Sequence, residues 1–229
     1  MSTLCGVDDS GRGPVLGPMV LAGVVIDEKD LYKLKEIGVK DSKLLTPNQR
    51  ENLFEQIKTI VQDYYIVIVS PKEIDDAVLS PMTNLNHLES EKFAEIINHL
   101  KADVSVIDCP STNIPAYTKE LRALLTVKTN LLCEHRADLH HIYVGAGSVL
   151  AKVTRDREIE KIQKRFKENI GSGYPADPYT KVFLKNNWNK HPEIFRHSWA
   201  TYQAYSGEKK PVKTPEKNGS KKQKSIGDY

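Results

Sequence analysis

Two adjacent carboxylates, Asp8 and Asp9, close a short apolar run and lead straight into the turn Gly11-Arg12-Gly13-Pro14. Two further aspartates, Asp108 and Asp138, follow other apolar runs, at residues 104–107 and 130–134. Carboxylates crowded into one cleft repel each other and resist ionisation. Divalent cations remove that conflict, and hard Mg²⁺ or Mn²⁺ takes oxygen ligands while keeping several waters. Two such ions close together can activate a water and stabilise the leaving oxygen of an in-line phosphoryl displacement. The glycines of the turn let backbone amides approach a sugar edge that a β-carbon would block. Arg12 could add a charge-assisted hydrogen bond to a phosphate.

Each acid taken singly has a plainer reading. The chain holds 30 acids, so Asp138 alone reads equally well as a helix cap and Asp108 as a turn residue. The doublet inside an apolar strand is harder to explain that way. It carries a geometric condition: neighbouring strand residues point to opposite faces. Both carboxylates serve one site only if the chain bends at or just after Asp8, which Gly11 would permit.

The elements that must position these groups follow from periodicity. Residues 4–7 and 19–26 read as buried strands, with Val20, Val24, Val25 and Ile26 supplying β-branched weight. Thr46-Pro47-Asn48-Gln49 opens a helix with a capping threonine and Pro at its first position; Ser70-Pro71-Lys72-Glu73 repeats that logic. Between them, 64–69 is a strand. Leu85, Leu88, Phe93, Ile96, Ile97 and Leu100 mark a longer helix. Strands at 104–107 and 130–134 flank a helix at 114–125. One long helix is expected over 140–167, with Gly145, Ala146, Gly147, Ser148 and Ala151 allowing close packing on a sheet. The breaker Gly171-Ser172-Gly173-Tyr174-Pro175 precedes two helical stretches, at 179–189 and 193–205. Mixed strands and helices throughout indicate an α/β fold. In such sheets, ligands gather beyond the carboxyl ends of strands, where distant acids can meet.

Composition bounds the class. With 229 residues, 39% hydrophobic and 28% charged, the chain can bury one core. No run of about 18 apolar residues suggests a membrane span. The first residues lack the basic flank and apolar stretch of a signal peptide, so a cytoplasmic location is expected. Cys5, Cys109 and Cys133 are widely spaced and lie in apolar runs, reading as buried free thiols in a reducing compartment. The seven histidines show no ligand spacing, and none is assigned to metal. Net charge is +3, but residues 207–229 hold seven lysines and three acids, leaving the rest near −1. The expected organisation is a catalytic body, 1–206, whose C-terminal helices span about 178–206, and a disordered basic tail, 207–229.

The stretch Gly6-Val7-Asp8-Asp9-Ser10-Gly11-Arg12-Gly13-Pro14-Val15-Leu16-Gly17-Pro18 resembles the opening motif of ribonuclease HII in its archaeal form. The resemblance continues through Val39-Lys40-Asp41-Ser42-Lys43, Asn84-Leu85-Asn86, Ile107-Asp108 and Glu134-His135-Arg136-Ala137-Asp138. It then covers Ser148-Val149-Leu150-Ala151-Lys152-Val153, Arg155-Asp156 and Gly171-Ser172-Gly173-Tyr174-Pro175. These landmarks stand in family order across residues 4–205. The resemblance implies an RNase H-like fold: a mixed central sheet flanked by helices, with a small helical C-terminal part. It implies metal-dependent cleavage of the RNA strand of RNA–DNA hybrids and nicking on the 5′ side of single ribonucleotides in duplex DNA, with 3′-hydroxyl and 5′-phosphate products. The family's catalytic acids fall on Asp8, Asp9, Asp108 and Asp138, which would hold Mg²⁺ or Mn²⁺ in a two-metal mechanism.

By the same resemblance Gly11, Arg12 and Gly13 read the 2′-hydroxyl, and Tyr174 packs on the following deoxyribose. Lys40, Lys43, Lys152 and Arg155 are candidates for backbone phosphates, although for Arg155 a solvated face is the better reading. One departure stands out: the family normally has Glu where this chain has Asp9, one methylene shorter. A displacement of about 1 Å in a catalytic site can cost on the order of 100-fold in rate. The alternative is therefore a catalytically weakened module that binds hybrids without cutting them. In the tail, Gln223, Ile226 and Tyr229 resemble the box that binds the sliding clamp (PCNA), and a flexible tether would raise the local concentration of enzyme at DNA. A monomer is expected.

Overall fold

The first apolar run is longer than its hydrophobic residues alone suggest. In the computed structural model, which describes residues 2–39 and 45–207, strand β1 spans Thr3–Ser10 and so includes both aspartates. It pairs antiparallel with β2 (Met19–Asp27), register Asp8 to Ala22 and Asp9 to Leu21. A 3₁₀ turn (Glu28–Asp30) and helix α1 (Leu31–Glu36), absent from the sequence reading, follow. Helix α2 (Pro47–Ile60) starts on the expected capping box of Thr46 and Gln49. Strand β3 (Asp63–Val69) pairs antiparallel with β2. Helix α3 (Pro71–Leu79) repeats the box with Ser70 and Glu73. Helix α4 (Leu85–Leu100) is capped by the Asn84 side chain.

The second half of the sheet is parallel. Strand β4 (Val104–Asp108) runs beside β1, with Val7 opposite Ile107. After α5 (Ile114–Leu124), strand β5 (Asn130–Glu134) runs beside β4, with Glu134 opposite Asp108. The sheet order is β3-β2-β1-β4-β5, so β1 is the strand at which antiparallel pairing gives way to parallel. The carboxyl ends of β1, β4 and β5 therefore lie along one edge.

Alternation along β1 divides the core in two. Cys5 and Val7 face a cluster with Phe93, Ile96 and Ile97 of α4 and Tyr117 and Leu121 of α5. Leu4 faces the other, built on α2 and on α7 (Ile142–Phe166). Close approach of α7 depends on Gly6: a β-carbon there would lie 2.4 Å from the backbone of Tyr143 and Val144. The predicted long helix begins later than expected, because the chain first makes the short α6 (Ala137–His140). Helix α8 (Pro178–Asn187) follows the Gly/Pro loop.

The stretch expected as one helix over 193–205 is broken. A 3₁₀ turn (Pro192–Ile194) leads through the bridge residue Phe195 and a tight turn over 196–199 into α9 (Ala200–Ser206). Phe195 bridges Leu16, so residues 194–196 bond to the chain just after the Gly-Arg-Gly turn instead of to their own helix. Val15, Leu16, Ile159, Phe183, Phe195 and Tyr202 form a third core cluster around that junction. None of the described helices is long and apolar enough to cross a membrane.

Candidate active site

The aspartates of β1 do not require the chain to bend between them. Pairing with β2 continues through Ser10, so Asp8 and Asp9 point to opposite faces. Asp8, buried at 6% exposure, turns toward α7, where Ser148 donates to its carboxylate. The Asp9 amide also donates to Asp8 Oδ1, at 2.7 Å. Asp9 turns toward α4 and the C-terminal segment, into the field of Arg12, Arg196 and Glu89. The two converge because both lie at the strand's end beside β4, and each feels the charge of Asp108. Asp108 in turn accepts from the Arg136 amide at 2.8 Å. Arg136 sits in the left-handed region (φ 58°), which turns the chain sharply and starts α6, a helix in contact with β4 that carries Asp138 in its first turn.

The electrostatics are those of crowded acids. Burial, then the neighbouring Asp9, holds the Asp8 carboxyl well above the usual range. Burial and Asp108 push Asp9 up to about 6, against the opposing pull of Arg12 and Arg196. Among the described residues no three His, Cys, Asp or Glu side chains already stand at closed ligand spacing. Like charges without a counter-ion do not draw together by themselves. The donor set is all oxygen, anionic and short of positive charge, which fits a hard divalent cation. Glu134, level with Asp108, is taken up by His140 and His141.

The Gly-Arg-Gly turn leaves the strand with Gly11 at φ +86°, a conformation that favours glycine. Arg12 is already engaged: Nη1 ion-pairs with Glu89 at 2.9 Å and Nη2 donates to Asn86 at 2.8 Å. Burial and Asp9 raise Glu89 to about 8. The sequence reading missed Glu89, although a signal existed. It lies four residues from both Leu85 and Phe93, on the face of α4 that turns inward.

Tyr174 stands over the turn, its ring edge 3.5 Å from where a Gly13 β-carbon would be. Arg155 is a correction. It is 2% exposed, not solvated, with its guanidinium 5.4 Å from the centre of the Tyr174 ring and Nη2 donating to the Ser172 carbonyl at 2.6 Å. Lys152 pairs with Asp156 one helical turn on, which takes up the charge expected for a phosphate. Lys40 and Lys43 lie outside the described residues, as do Gln223, Ile226 and Tyr229.

Comparison with known proteins bears on this arrangement. The family model for ribonuclease HII matches residues 5–202. Ribonuclease HII of Pyrococcus furiosus is 46% identical over 201 residues, covering 86% of this chain and 88% of that protein. The crystal structure of ribonuclease H2 from Pyrococcus horikoshii superposes with a TM-score of 0.83 at 41% identity, covering 90% of this chain and 97% of the other. A structure of the PCNA:RNase HII complex from Archaeoglobus fulgidus matches with a TM-score of 0.77 at 36% identity, over 86% and 95% of the two chains. The fold also recurs in Bst-RNase HIII solved in complex with Mn²⁺, at 17% identity and a TM-score of 0.73, over 90% and 70%. The five-stranded mixed sheet with flanking helices is thus the RNase H-type α/β fold, and the chain belongs to the ribonuclease HII family of hydrolases, which cleave the RNA strand of RNA–DNA hybrids.

Proposed function

We propose that Asp8, Asp9, Asp108 and Asp138 hold two Mg²⁺ or Mn²⁺ ions and that the enzyme cuts on the 5′ side of a ribonucleotide, leaving 3′-hydroxyl and 5′-phosphate ends. The observation that carries this reading is the mutual field of Asp8, Asp9 and Asp108 at the ends of two adjacent parallel strands, which raises the first two carboxyls together. Bound there, the ions would supply Lewis-acid activation of water and neutralise charge at the departing oxygen. That Bst-RNase HIII was solved with Mn²⁺ supports the choice of ion.

The protein's own groups orient the substrate. The amides of Gly11, Arg12 and Gly13 face the ribose edge and donate to its 2′-hydroxyl. Tyr174, 42% exposed beside the turn, offers a flat face to the next sugar, where a second hydroxyl would crowd it. Arg12, held by Glu89 and Asn86, acts through the placement of its backbone. The protein works as a monomer in the cytoplasm, a compartment that suits its three buried free thiols. Its tail engages the sliding clamp through Gln223, Ile226 and Tyr229; the Archaeoglobus complex supports this pairing for a relative.

The test is a nicking assay on duplex DNA carrying one ribonucleotide, with Mg²⁺ or Mn²⁺. Wild type should nick 5′ of the ribose. Asp8→Asn should lose at least about 1,000-fold in rate while folding normally. Nicking by Asp8→Asn at the wild-type rate would refute the metal assignment.

A further inference from the structure

The Gly-Arg-Gly turn is held from one side only. Its three carbonyls all have donors: Arg196 Nη2 to Gly11 at 2.6 Å, Arg196 Nη1 to Arg12 at 2.8 Å, and Trp199 Nε1 to Gly13 at 3.0 Å. Its three amides donate to no acceptor among the described residues. Arg196 also reaches across the base of the loop, Nε to the Gly17 carbonyl at 3.1 Å. It is fully buried, lies 5.0 Å from the centre of the Trp199 ring, and forms no ion pair among the described residues; burial and the neighbouring Arg155 lower its pKa to about 9. Burying a guanidinium on carbonyls and an indole face, with no paired carboxylate, is costly, and such a cost persists where the geometry it imposes is needed.

Arg196 is itself clamped. Its amide donates to the Val15 carbonyl at 2.9 Å. The next two residues are held by Asp75 of α3, which accepts from the amides of His197 (2.7 Å) and Ser198 (2.8 Å) and from the Ser198 hydroxyl (2.6 Å). This is why residues 195–199 form a bridge and a tight turn, the Trp199 amide donating to the Arg196 carbonyl, where sequence periodicity suggested helix. A run of bonds thus leads from α3, through the C-terminal segment, to the carbonyl side of the turn.

From this asymmetry we infer that Arg196 is the positioning residue for ribose recognition, with Trp199 as its accessory. By fixing the carbonyls it sets the positions of the amides before substrate arrives. Preorganised donors avoid the ordering cost that a loose glycine turn would otherwise incur on binding. The planar fork is essential: it spans three carbonyls, while an ammonium at the same charge is a single point on a flexible stem. The inference rests on the reading that the turn senses the 2′-hydroxyl.

The test compares binding of two duplexes of identical sequence, one all-DNA and one with a single ribonucleotide, in an Asp8→Asn background so that neither is cut. The background protein should prefer the ribonucleotide duplex. Arg196→Lys keeps the charge and should lower that preference at least tenfold, with affinity for the all-DNA duplex within about twofold. Trp199→Phe removes the donor to Gly13 while keeping an aromatic ring beside Arg196, and should lower it about fivefold; this variant carries the test if Arg196→Lys does not fold. A purely structural role would reduce melting temperature without moving the ratio between the two duplexes. Full preference retained in a folded variant overturns the inference alone. No preference in the background protein overturns the reading of the turn, and the inference with it.

Discussion

Removing one charge from the acid cluster should make the metal-free protein more stable. Asp9 is raised from its ordinary 3.8 to about 6 in the folded chain. A carboxyl whose folded pKa lies above its unfolded value costs nothing at a pH below both. The cost grows as pH rises through the interval between about 4 and 6 and is fully present above it. Two pKa units at about 1.4 kcal/mol each give up to about 3 kcal/mol, or about 2–3 kcal/mol once partial solvent access is allowed for. Asp9→Asn abolishes this cost. For a chain of this size the gain corresponds to about 5–10 °C in melting temperature.

The assay is thermal or urea denaturation of wild type and Asp9→Asn in chelator, at about pH 7.5 and again near pH 4. The variant should be more stable at the higher pH and equal to wild type at the lower. Excess Mg²⁺ should then close the gap from the wild-type side, since a ligand at about 100 times its Kd contributes about 2.7 kcal/mol. A variant no more stable than wild type in chelator at about pH 7.5, or one equally stabilised at both pH values, would refute the charge-crowding argument. The stabilised variant should also be inactive, the expected exchange of activity for stability.

Other outcomes follow from the packing around the site. Gly6→Ala places a β-carbon 2.4 Å from the backbone of α7, which cannot yield as a side chain would. We expect a loss of more than about 3 kcal/mol by chemical denaturation, along with nicking activity as Ser148 leaves Asp8; wild-type stability would mean that α7 does not press on β1. Arg155→Met takes away the cation beside Tyr174 and the bond to Ser172. It should reduce the preference for RNA–DNA junctions over internal RNA steps about tenfold, read by mapping cuts along a chimeric strand. Asp9→Glu restores the side chain usual in the family and should change the ratio of Mg²⁺- to Mn²⁺-supported rates at least about tenfold, because the reach of the carboxylate sets ligand geometry. An unchanged ratio would show that position 9 does not govern the choice of ion.

What could be read from sequence was whatever is encoded locally. The capping boxes at Thr46 and Ser70 set the starts of α2 and α3 to the residue. Short apolar runs located every strand, and the acids at the ends of β1 and β4 were visible as acids. The residues missed act across long sequence separations. Arg196 looked like one more polar residue in a helical stretch; its role comes from carbonyls some 180 positions away. The break at 195–199, a bridge followed by a tight turn, is held by Asp75 and the bridge to Leu16, tertiary bonds that override helical periodicity. Arg155 was misread because burial of a charged side chain depends on what covers it, here Tyr174 and the Gly/Pro loop.

The doublet shows why topology, and not spacing alone, makes a site. Two successive strand residues normally serve opposite faces, and in mid-sheet Asp8 and Asp9 would belong to separate environments. They do so here as well: Asp8 meets Ser148 on the α7 side, while Asp9 meets the Arg12–Glu89 pair on the α4 side. They share a field because β1 is the strand where the sheet changes from antiparallel to parallel, so its carboxyl end opens at an edge beside the end of β4. At that edge Asp108 can be reached from either face, and it links the two. Asp108 is the last paired residue of β4, opposite Glu134, so the ladder ends at this edge. The Cys109 amide makes a last bond to the Glu134 carbonyl of β5, and the Asp108 carboxylate accepts the amide of Arg136, whose left-handed turn carries the chain on to Asp138.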